Sequence, residues 1–439
     1  MQVSLRRIAL FLLAVSISAG AWAKPLSFEE AKSAALANSN MIKSYEAKEQ
    51  AAHYRKYEAV GGYLPKVTFT QTYMKTDEPL NAAMSKALQG RFDSTYFAAQ
   101  MPDPDYVTNY QSKVQLLQPI FMNGKIIFGI MQANDAYSAS RFETERVKQF
   151  TLFNLHKAFY GLALAEKAMD VVNHSFERTQ RYYKTAQDFY KNGLIVKSDL
   201  LVSESYLLMN EQAVKEAEKQ HAVAMSQLQR ILGTDDSIEI VWTDPGLSFE
   251  ENLDKYTETG LATRQDLAAM KKYAAVTNLE NKKAKAAFLP SLSLFADYQR
   301  NDNEAFGDNG EGYTVGAQLE MNLFNGFSDF NKSRETMSTH LALLNQISDK
   351  KLEIKSEIKN SYYGVIAASK QIEASSKRVE AAEKALEITE NRFNEGLTKV
   401  TELLDREVDL KQAELSLYMS EYQQITEKAG LLLAEGTLH

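Results

Sequence analysis

Residue types that could carry out catalysis or bind a metal occur in this sequence, but their spacing fits no recognised chemistry. The six histidines lack the spacing of metal ligands, and no Ser/His/Asp set stands in a recognisable catalytic context. The chain has no cysteine, which excludes disulfides, thiolate metal sites and a lipid-modified cysteine. We therefore predict neither an enzyme nor a cofactor. The histidines, expected at the surface or in packing roles, are His53, His156, His174, His221, His340 and His439.

The segment Gly307–Gly312 superficially resembles a phosphate-binding or calcium-binding loop, because three glycines alternate with acidic and amide residues. It lacks the strand-to-helix context and the ordered ligand positions that such loops require. We expect an external loop here instead.

The first 23 residues have the pattern of an export signal. Arg6 and Arg7 precede the apolar run 8–20, and residues 21–23 read Ala-Trp-Ala, an A-x-A cleavage pattern. The apolar run is shorter than the ~20 residues of a membrane-spanning helix. No later stretch is apolar enough for such a helix, so any passage through a membrane would require β-strands. The formal net charge of −7 argues against a nucleic-acid partner.

One stretch, residues 190–204, recurs 203 positions later as residues 393–407. In each copy an aromatic residue closes a helical run, and a Gly-Leu pair then interrupts it. Ser198-Asp199 and Thr401-Glu402 are predicted to cap the helices that follow. Each copy therefore predicts the tip of a hairpin of two antiparallel helices. The two Gly-Leu pairs are Gly193-Leu194 and Gly396-Leu397.

Long heptad patterns lead into both tips. Large residues recur every seven positions, with mostly small residues four positions before each, which is a coiled-coil pattern. The helix predicted from about Lys125 to Phe189 would be roughly 100 Å long at ~1.5 Å per residue. The large positions are Leu155, Leu162, Met169, Phe176, Tyr183 and Tyr190, and in the second half Ile358, Val365, Ile372, Val379, Leu386 and Phe393.

Four segments alternate between apolar and polar residues and predict β-strands. They cover residues 67–73, about 106–121, 291–298 and 313–323, and the segment Lys75–Asp105 between the first two is expected to be a long exposed loop. One face of such strands suits lipid and the other suits water, as in a channel wall. A half-buried strand of a soluble sandwich would show the same alternation.

The two halves share one order of elements: helix, strand, loop, strand, very long helix, tip, shorter helix. This order divides the chain into a signal peptide (1–23), a first repeat (24–232), a connector (233–260) and a second repeat (261–439). Four strands are too few to close a barrel, since ~8 is the practical minimum. If the strands cross a membrane, several copies of the chain must therefore combine.

This arrangement resembles the outer membrane efflux protein family, the TolC-like exit ducts of Gram-negative bacteria. The resemblance covers essentially the whole chain after the signal. It implies a homotrimer with a twelve-stranded transmembrane β-barrel in the outer membrane, continuous with a periplasmic α-helical coiled-coil barrel. The motifs that carry it are Leu64-Pro65, Leu289-Pro290, the segments 119–124 and 322–326, and the two Gly-Leu tips.

The resemblance also implies roles for particular residues. Gly193, Leu194, Gly396 and Leu397 match the tips that dock a periplasmic adaptor, although such glycines can simply end a helix and the leucines can staple the turn. Glu402 and Asp405 match an acidic constriction, and a spacing of three places both on one helix face. Alternatively, Glu402 is only a helix N-terminal charge that the helix dipole favours.

Two departures from the family pattern concern the bends between strand and helix. Phe327 stands where many relatives repeat glycine, and Met122-Asn123 replaces the usual Asp-Gly. The geometry of both bends is therefore open.

The resulting functional prediction is a passive outer-membrane conduit of an efflux pump or a type I secretion system. Its implied partners are an adaptor, an inner-membrane RND or ABC transporter, and outer-membrane lipid. The alternative is a periplasm-spanning structural or adhesive coiled-coil protein without an open pore.

Overall fold

The computed structural model describes residues 25–91, 93 and 103–439, so the predicted signal peptide lies outside the described residues. The described part contains nine helices and four strands. The helices are α1 (Phe28–Asn38), α2 (Asn40–Gly61), α3 (Pro79–Leu88), α4 (Lys125–Lys191), α5 (Lys197–Leu232), α6 (Leu253–Thr263), α7 (Gln265–Ala286), α8 (Ser328–Asn394) and α9 (Val400–Glu435). The strands are β1 (Lys66–Thr76), β2 (Val107–Met122), β3 (Ser291–Asp302) and β4 (Gly310–Glu320).

The predicted twofold repeat is confirmed element by element. Helices α1 and α2 recur as α6 and α7 with both ends displaced by 225 positions, and α4 and α5 recur as α8 and α9 displaced by 203. Both long helices have 67 residues, and both helices after the tips have 36. The boundaries predicted for the repeats and the connector remain a prediction.

Local sequence explains the first helices well. The predicted capping box at α1 is present, because Ser27 Oγ accepts from the backbone of Glu30 while the Glu30 carboxylate accepts from the Ser27 N–H at 2.9 Å. Helix α1 stops before Ser39, and α6 stops at the equivalent position before Arg264. Both residues have φ near −60° and ψ near +120°, which is not helical.

The four strands form one antiparallel sheet in the order β1-β2-β3-β4. In β2 the register shifts between Pro119 and Phe121. This suits proline, which cannot donate to a neighbouring strand. Within the described residues the outer edges of β1 and β4 have no partner strand. The fourth strand begins and ends three residues earlier than predicted.

The two faces of the sheet differ in polarity, as the alternation predicted. Phe69, Val114, Tyr298 and Tyr313 lie opposite one another across all four strands, and all of them are exposed. On the other face, Gln111 donates to Gln299 at 3.0 Å and Lys113 lies 3.3 Å from Asp297. One face is therefore apolar and the other carries hydrogen-bonding and charged groups. We name them the apolar face and the polar face.

The expected exposed loop Lys75–Asp105 is wrong in its described part, because residues 79–88 form helix α3. Pro79 at the first helical position and the alanine-rich sequence that follows favour a helix. Ala82, Ala83 and Ser85 are buried, and α3 contacts β2 and β3. Contact with the sheet therefore stabilises α3. In the sequence, the turn-forming residues on either side of this segment favour a loop and hide the helix.

By contact the chain divides into two compact units. One consists of residues through Glu46, Phe142–Leu267 and Asp349–His439, and the other of Ala47–Arg141 and Ala268–Ser348. The sheet and α3 belong to the second unit. In the part of the chain that has been described, none of the helices is long and apolar enough to cross a membrane.

The heptad prediction holds for the second repeat and only partly for the first. Ile358, Val365, Leu386 and Phe393 are buried, with Ile372 and Val379 half-buried. In α4 the small positions are buried throughout, but the large positions from Met169 to Tyr190 are half-buried or exposed. Ser175 and Tyr182 are buried there instead. Which face of α4 is covered thus depends on the neighbouring helices and not on side-chain size alone.

A neutral histidine lies in the core of the first unit. His156 is 5% exposed, its ring centroid is 4.3 Å from that of Phe28, and it stacks on Tyr160. Its Nδ1 has no hydrogen-bond partner among the described residues. Burial, and to a smaller extent the charge of Lys32, lowers the pKa of His156 to about 4.

We predict that His156 makes stability fall in mild acid. Because an unfolded histidine titrates near 6.5 and folded His156 near 4, the unfolded state binds the extra proton as the pH drops between these values. The loss at pH 5 relative to pH 8 is roughly 2 kcal/mol. The melting temperatures of wild type and His156→Phe at both pH values test this, and the variant should show a smaller difference.

His174→Phe is the matched control, since His174 is exposed on the same helix. It should retain the wild-type difference between pH 5 and pH 8. An equal difference in wild type and His156→Phe would contradict the assignment.

Candidate functional site

The two tips have the same backbone geometry. At the first tip Gly193 has φ +70°, its N–H donates to the Tyr190 carbonyl, and the Leu194 N–H donates to the Phe189 carbonyl at 2.9 Å. Gly396 at the second tip has φ +74°, with the equivalent two bonds. These are the bonds of a Schellman motif, which satisfies carbonyls at a helix end and favours glycine for its positive φ. The predicted hairpin tips are therefore confirmed as structure.

The leucines of the tips are not buried by the turns that contain them. A Schellman motif usually packs the residue after the glycine against the helix end. Here Leu194 is 68% exposed and Leu397 65% exposed. The glycines do end their helices, but the leucines remain largely available for contact outside the chain.

The four predicted tip residues come together. Gly193, Leu194, Gly396 and Leu397 all line one open cavity of about 740 Å³ between the two hairpins. Phe189 and Phe393 also line this cavity, with ring centroids 5.4 Å apart. Residues 203 positions apart in sequence thus form one apolar recess with exposed leucines at its rim.

The predicted helix caps at the tips are wrong. Helix α5 begins at Lys197 after Val196, and α9 begins at Val400 after Lys399, and neither preceding residue makes a side-chain cap. Ser198-Asp199 and Thr401-Glu402 therefore lie inside the first turn. The N-cap positions are occupied by Val196, which has no side-chain acceptor, and by Lys399, whose ammonium can only donate, so neither side chain can accept from the N–H groups of the first turn.

Glu402 and Asp405 are exposed on the first turns of α9 but do not share a partner. The Glu402 carboxylate accepts a hydrogen bond from Thr398 Oγ1. Asp405 Oδ1 accepts from the Tyr206 hydroxyl of α5 at 2.7 Å, and this bond raises the pKa of Tyr206. Asp405 is thereby tied to the first repeat, whereas Glu402 is held only within its own tip. Neither residue lines the tip cavity.

A buried ion pair joins the long helix of the first repeat to α9. Arg178 Nε donates to Glu407 Oε2 at 2.7 Å, and Glu407 is 1% exposed. Burial alone would lower the pKa of Arg178, but the hydrogen bond and charge of Glu407 outweigh it and raise that pKa. Nearby, buried Asn210 donates to Thr179 at 2.8 Å and accepts from Lys411 at 2.6 Å. We name Arg178, Thr179, Asn210, Glu407 and Lys411 the polar layer.

Sequence reasoning missed the polar layer, Tyr206 and Thr398. Glu407 falls at the end of the repeated stretch, but its counterpart Glu204 is exposed, so the repeat itself gives no sign of burial. The heptad spacing gives no sign either, because the positions seven residues apart through Glu407 are mostly charged: Val400, Glu407, Glu414, Glu421 and Lys428. The bond between Tyr206 and Asp405 joins residues 199 positions apart and has no local signature.

No group of three or more histidine, aspartate or glutamate residues is arranged to hold a metal ion within the described ranges. The site is instead an open recess between the two tips, and the carboxylates of Glu402 and Asp405 are exposed outside it. A two-sided sheet together with very long paired helices that end in such tips defines the architecture of an outer-membrane channel subunit.

Comparison with known proteins supports this class. The sequence profile described as "Outer membrane efflux protein" matches residues 32–234 and 258–437. This chain belongs to the outer membrane efflux protein family, whose members are proteins of the outer membrane.

Individual relatives are distant in sequence. The alkaline protease secretion protein AprF of Pseudomonas aeruginosa is 23% identical over 285 residues, which cover 62% of this chain and 58% of AprF. The match thus spans little more than half of that relative's length.

Two solved structures show the same fold over 93% of this chain. The CmeC outer membrane channel of Campylobacter jejuni is 15% identical, with a TM-score of 0.81 and 85% of its own chain covered. The outer membrane protein VceC of Vibrio cholerae is 16% identical, with a TM-score of 0.77 and 96% covered. The family and these structures are those of channels and outer-membrane proteins rather than of enzymes.

We predict that breaking the polar layer destabilises the helical unit. Glu407→Ala leaves the Arg178 guanidinium partly buried without its partner, and loss of one member of a buried pair costs roughly 3 kcal/mol. A clear drop in the thermal midpoint of helix unfolding, followed by circular dichroism, is the expected result.

The double variant Arg178→Met with Glu407→Leu is the matched control. It removes both charges and fills similar volume, so it should recover most of the lost stability. Equal losses in the single and double variants would contradict the role of the ion pair.

Proposed function

We propose that this chain is one subunit of a homotrimeric, passive conduit that leads from the periplasm through the outer membrane. The observation that carries the proposal is the sheet, which has an apolar face, a polar face and two edges that have no partner strand among the described residues. Backbone groups at an unpaired edge are costly in lipid, where water cannot satisfy them. A second and a third copy of the chain offer those edges suitable partners.

Three copies of a four-stranded sheet supply twelve strands. With the apolar face toward lipid and the polar face inward, a closed sheet of this size encloses a water-filled passage. The long helices of the three copies then continue the passage on the periplasmic side, as the family resemblance implies. Energy for transport comes from partner proteins, since no catalytic constellation was recognised in the sequence.

The tips are proposed to dock a periplasmic adaptor, which links the conduit to an inner-membrane RND or ABC transporter. The support is geometric. Leu194 and Leu397 are exposed at the rim of one recess, and a backbone motif that needs no side-chain contact fixes each turn. Exposed apolar anchors beside a pocket are typical of the centre of a protein interface.

Glu402 and Asp405 are proposed to form the periplasmic constriction. In a trimer they present six carboxylates, and a ring of carboxylates in a pore favours cations. The hydrogen bond from Tyr206 to Asp405 joins the two repeats at this level, so it restrains the hairpin that carries the carboxylates.

For the cargo, similarity to AprF favours a secreted polypeptide, because that relative is named for protease secretion. Efflux of small compounds is the second candidate, consistent with the family's name. Complementation decides between them, by asking whether the chain restores protease secretion to a Pseudomonas aeruginosa strain that lacks AprF.

Replacing both tip leucines by aspartate should abolish export while the trimer remains folded. A charge in place of each apolar anchor opposes docking, and few contacts within the chain are lost because both leucines are about two-thirds exposed. Export is measured in the native host. The cargo to follow is the substance that stays inside the cells when the gene is deleted. Trimer formation is measured separately by amine-reactive cross-linking.

Asn192→Asp is the matched control, because it adds a negative charge to the same tip and leaves Leu194 in place. It should export normally. Normal export by the Leu194→Asp, Leu397→Asp variant would refute the docking role.

Replacing Glu402 and Asp405 by alanine should raise single-channel conductance in planar bilayers and weaken block by divalent cations. Removal of six carboxylates from the trimer lowers cation affinity at the constriction. Tyr206→Phe separates charge from tethering, because it removes the hydrogen bond to Asp405 and keeps both carboxylates. It should retain divalent block.

The same recordings test the alternative function. A structural or adhesive coiled-coil protein gives no ion conductance, whether or not the tip carboxylates are present. Conductance that is unchanged in the alanine variant would leave the conduit standing and count against the constriction.

A further inference from the structure

Helix α3, in the loop between β1 and β2, lies on the polar face of the sheet. Gln89, which follows α3, donates to Thr108 O at 2.7 Å and to Asn109 Oδ1 at 3.0 Å, and Asn109 in turn donates to Asn301. Asn109 and Asn301 share the face of Gln111 and Gln299, which is the polar face.

The end of α3 is in close contact with that face. A Cβ added to Gly310, which pairs with Asn301, would lie 1.9 Å from the Leu88 carbonyl oxygen, so only glycine fits there. Gln89, Asn109 and Asn301 are all buried. The contact between α3 and the sheet is therefore tightly packed and excludes water. It holds α3 over the polar face, which the proposed function assigns to the passage.

The polarity of α3 is reversed relative to an ordinary surface helix. Its small residues Ala82, Ala83 and Ser85 are buried, and the helix contacts β2 and β3. On the opposite side Leu80, Met84 and Leu88 follow at intervals of four, which aligns them at about 100° per residue, and they are 65%, 55% and 37% exposed. A surface helix normally buries its large apolar residues. We name these three residues the outer stripe.

Resting on the proposed trimer, we infer that the outer stripes of three α3 helices pack against one another and narrow the external end of the passage without sealing it to ions. The occupant of each stripe is thus the α3 helix of another copy. Lipid is the other apolar partner available to an outer-membrane protein, but the lipid side of the sheet is the apolar face, and α3 lies on the opposite side. In the proposed trimer the polar faces of all three copies surround one passage. An outer stripe that lies over the polar face of its own copy therefore meets the stripes of the other two copies.

Single cysteines test the inference cleanly, because the chain has none of its own. In purified trimers, oxidation of Met84→Cys should give covalent dimers that hold at most two of every three chains, since one cysteine in each copy can form only one disulfide. Tyr313→Cys is the control, because Tyr313 is 80% exposed on the apolar face and should remain monomeric on a denaturing gel.

Conductance gives the functional readout. In channels already opened by Glu402→Ala with Asp405→Ala, oxidation of Met84→Cys should lower conductance, and reduction should restore it. Replacing the outer stripe by Leu80→Gln, Met84→Gln and Leu88→Gln should raise conductance above that of the opened channel.

The possible failures differ from one another. Absence of trimers or of conductance in the opened channel removes the proposed function itself. Trimers that conduct but give no Met84→Cys dimers, with unchanged conductance in the glutamine variant, overturn only the narrowing by α3. Quenching of a fluorophore at Met84→Cys by spin-labelled lipid would overturn it as well, because the stripe would then face lipid.

Discussion

The structure depends on a sheet that cannot complete itself. In the part of the chain that the structure describes, the outer edges of β1 and β4 have no partner strand, which leaves two rows of backbone donors and acceptors unpaired by strands. In water such edges are tolerable, but in a hydrocarbon environment each unsatisfied group costs several kcal/mol. The polarity of the two faces has the same implication, because an apolar face of this extent needs a covering that the described chain does not supply. In the proposed trimer, association with further copies of the chain pairs the strand edges, and lipid covers the apolar face. The proposed conduit and its constriction both depend on this association.

The repeat explains how one chain provides two tips that line one recess. Displacements of 225 and 203 positions reproduce helix ends, tip glycines and turn angles in both halves. The difference of 22 residues between these displacements falls in the loop that contains α3. The two halves thus share their scaffold, while the inserted helix and Asp405, whose counterpart is Val202, distinguish them. The strands and helices that both halves share form the wall of the proposed conduit. The two proposed narrow points, at α3 and at the carboxylates of α9, lie where the halves differ.

Features that depend on residues close together in sequence could be predicted, whereas features that depend on residues far apart in sequence could not. Strands, long helices and tips were predictable because alternation, heptads and Gly-Leu breaks are local patterns. Helix α3 was missed because it is short and its stability comes from contact with β2 and β3. The caps were misplaced because each helix begins before the predicted polar pair, after Val196 and Lys399, whose side chains make no capping hydrogen bond. Two contacts could not be predicted: the hydrogen bond of Tyr206 to Asp405 and the ion pair of Arg178 with Glu407. Their residues are about 200 positions apart, and only the packed bundle brings them together.

The Schellman turns at the tips have an evolutionary consequence. Their conformation rests on two backbone bonds and one glycine, and no atom lies within 4 Å of a Cβ placed on Gly193 or Gly396. The leucines that follow these glycines are about two-thirds exposed and contribute no side-chain contact to the two backbone bonds. If the tips bind a partner as proposed, substitution of these leucines changes recognition with little effect on folding, and a lineage could exchange one partner for another through two positions while the rest of the chain stays intact.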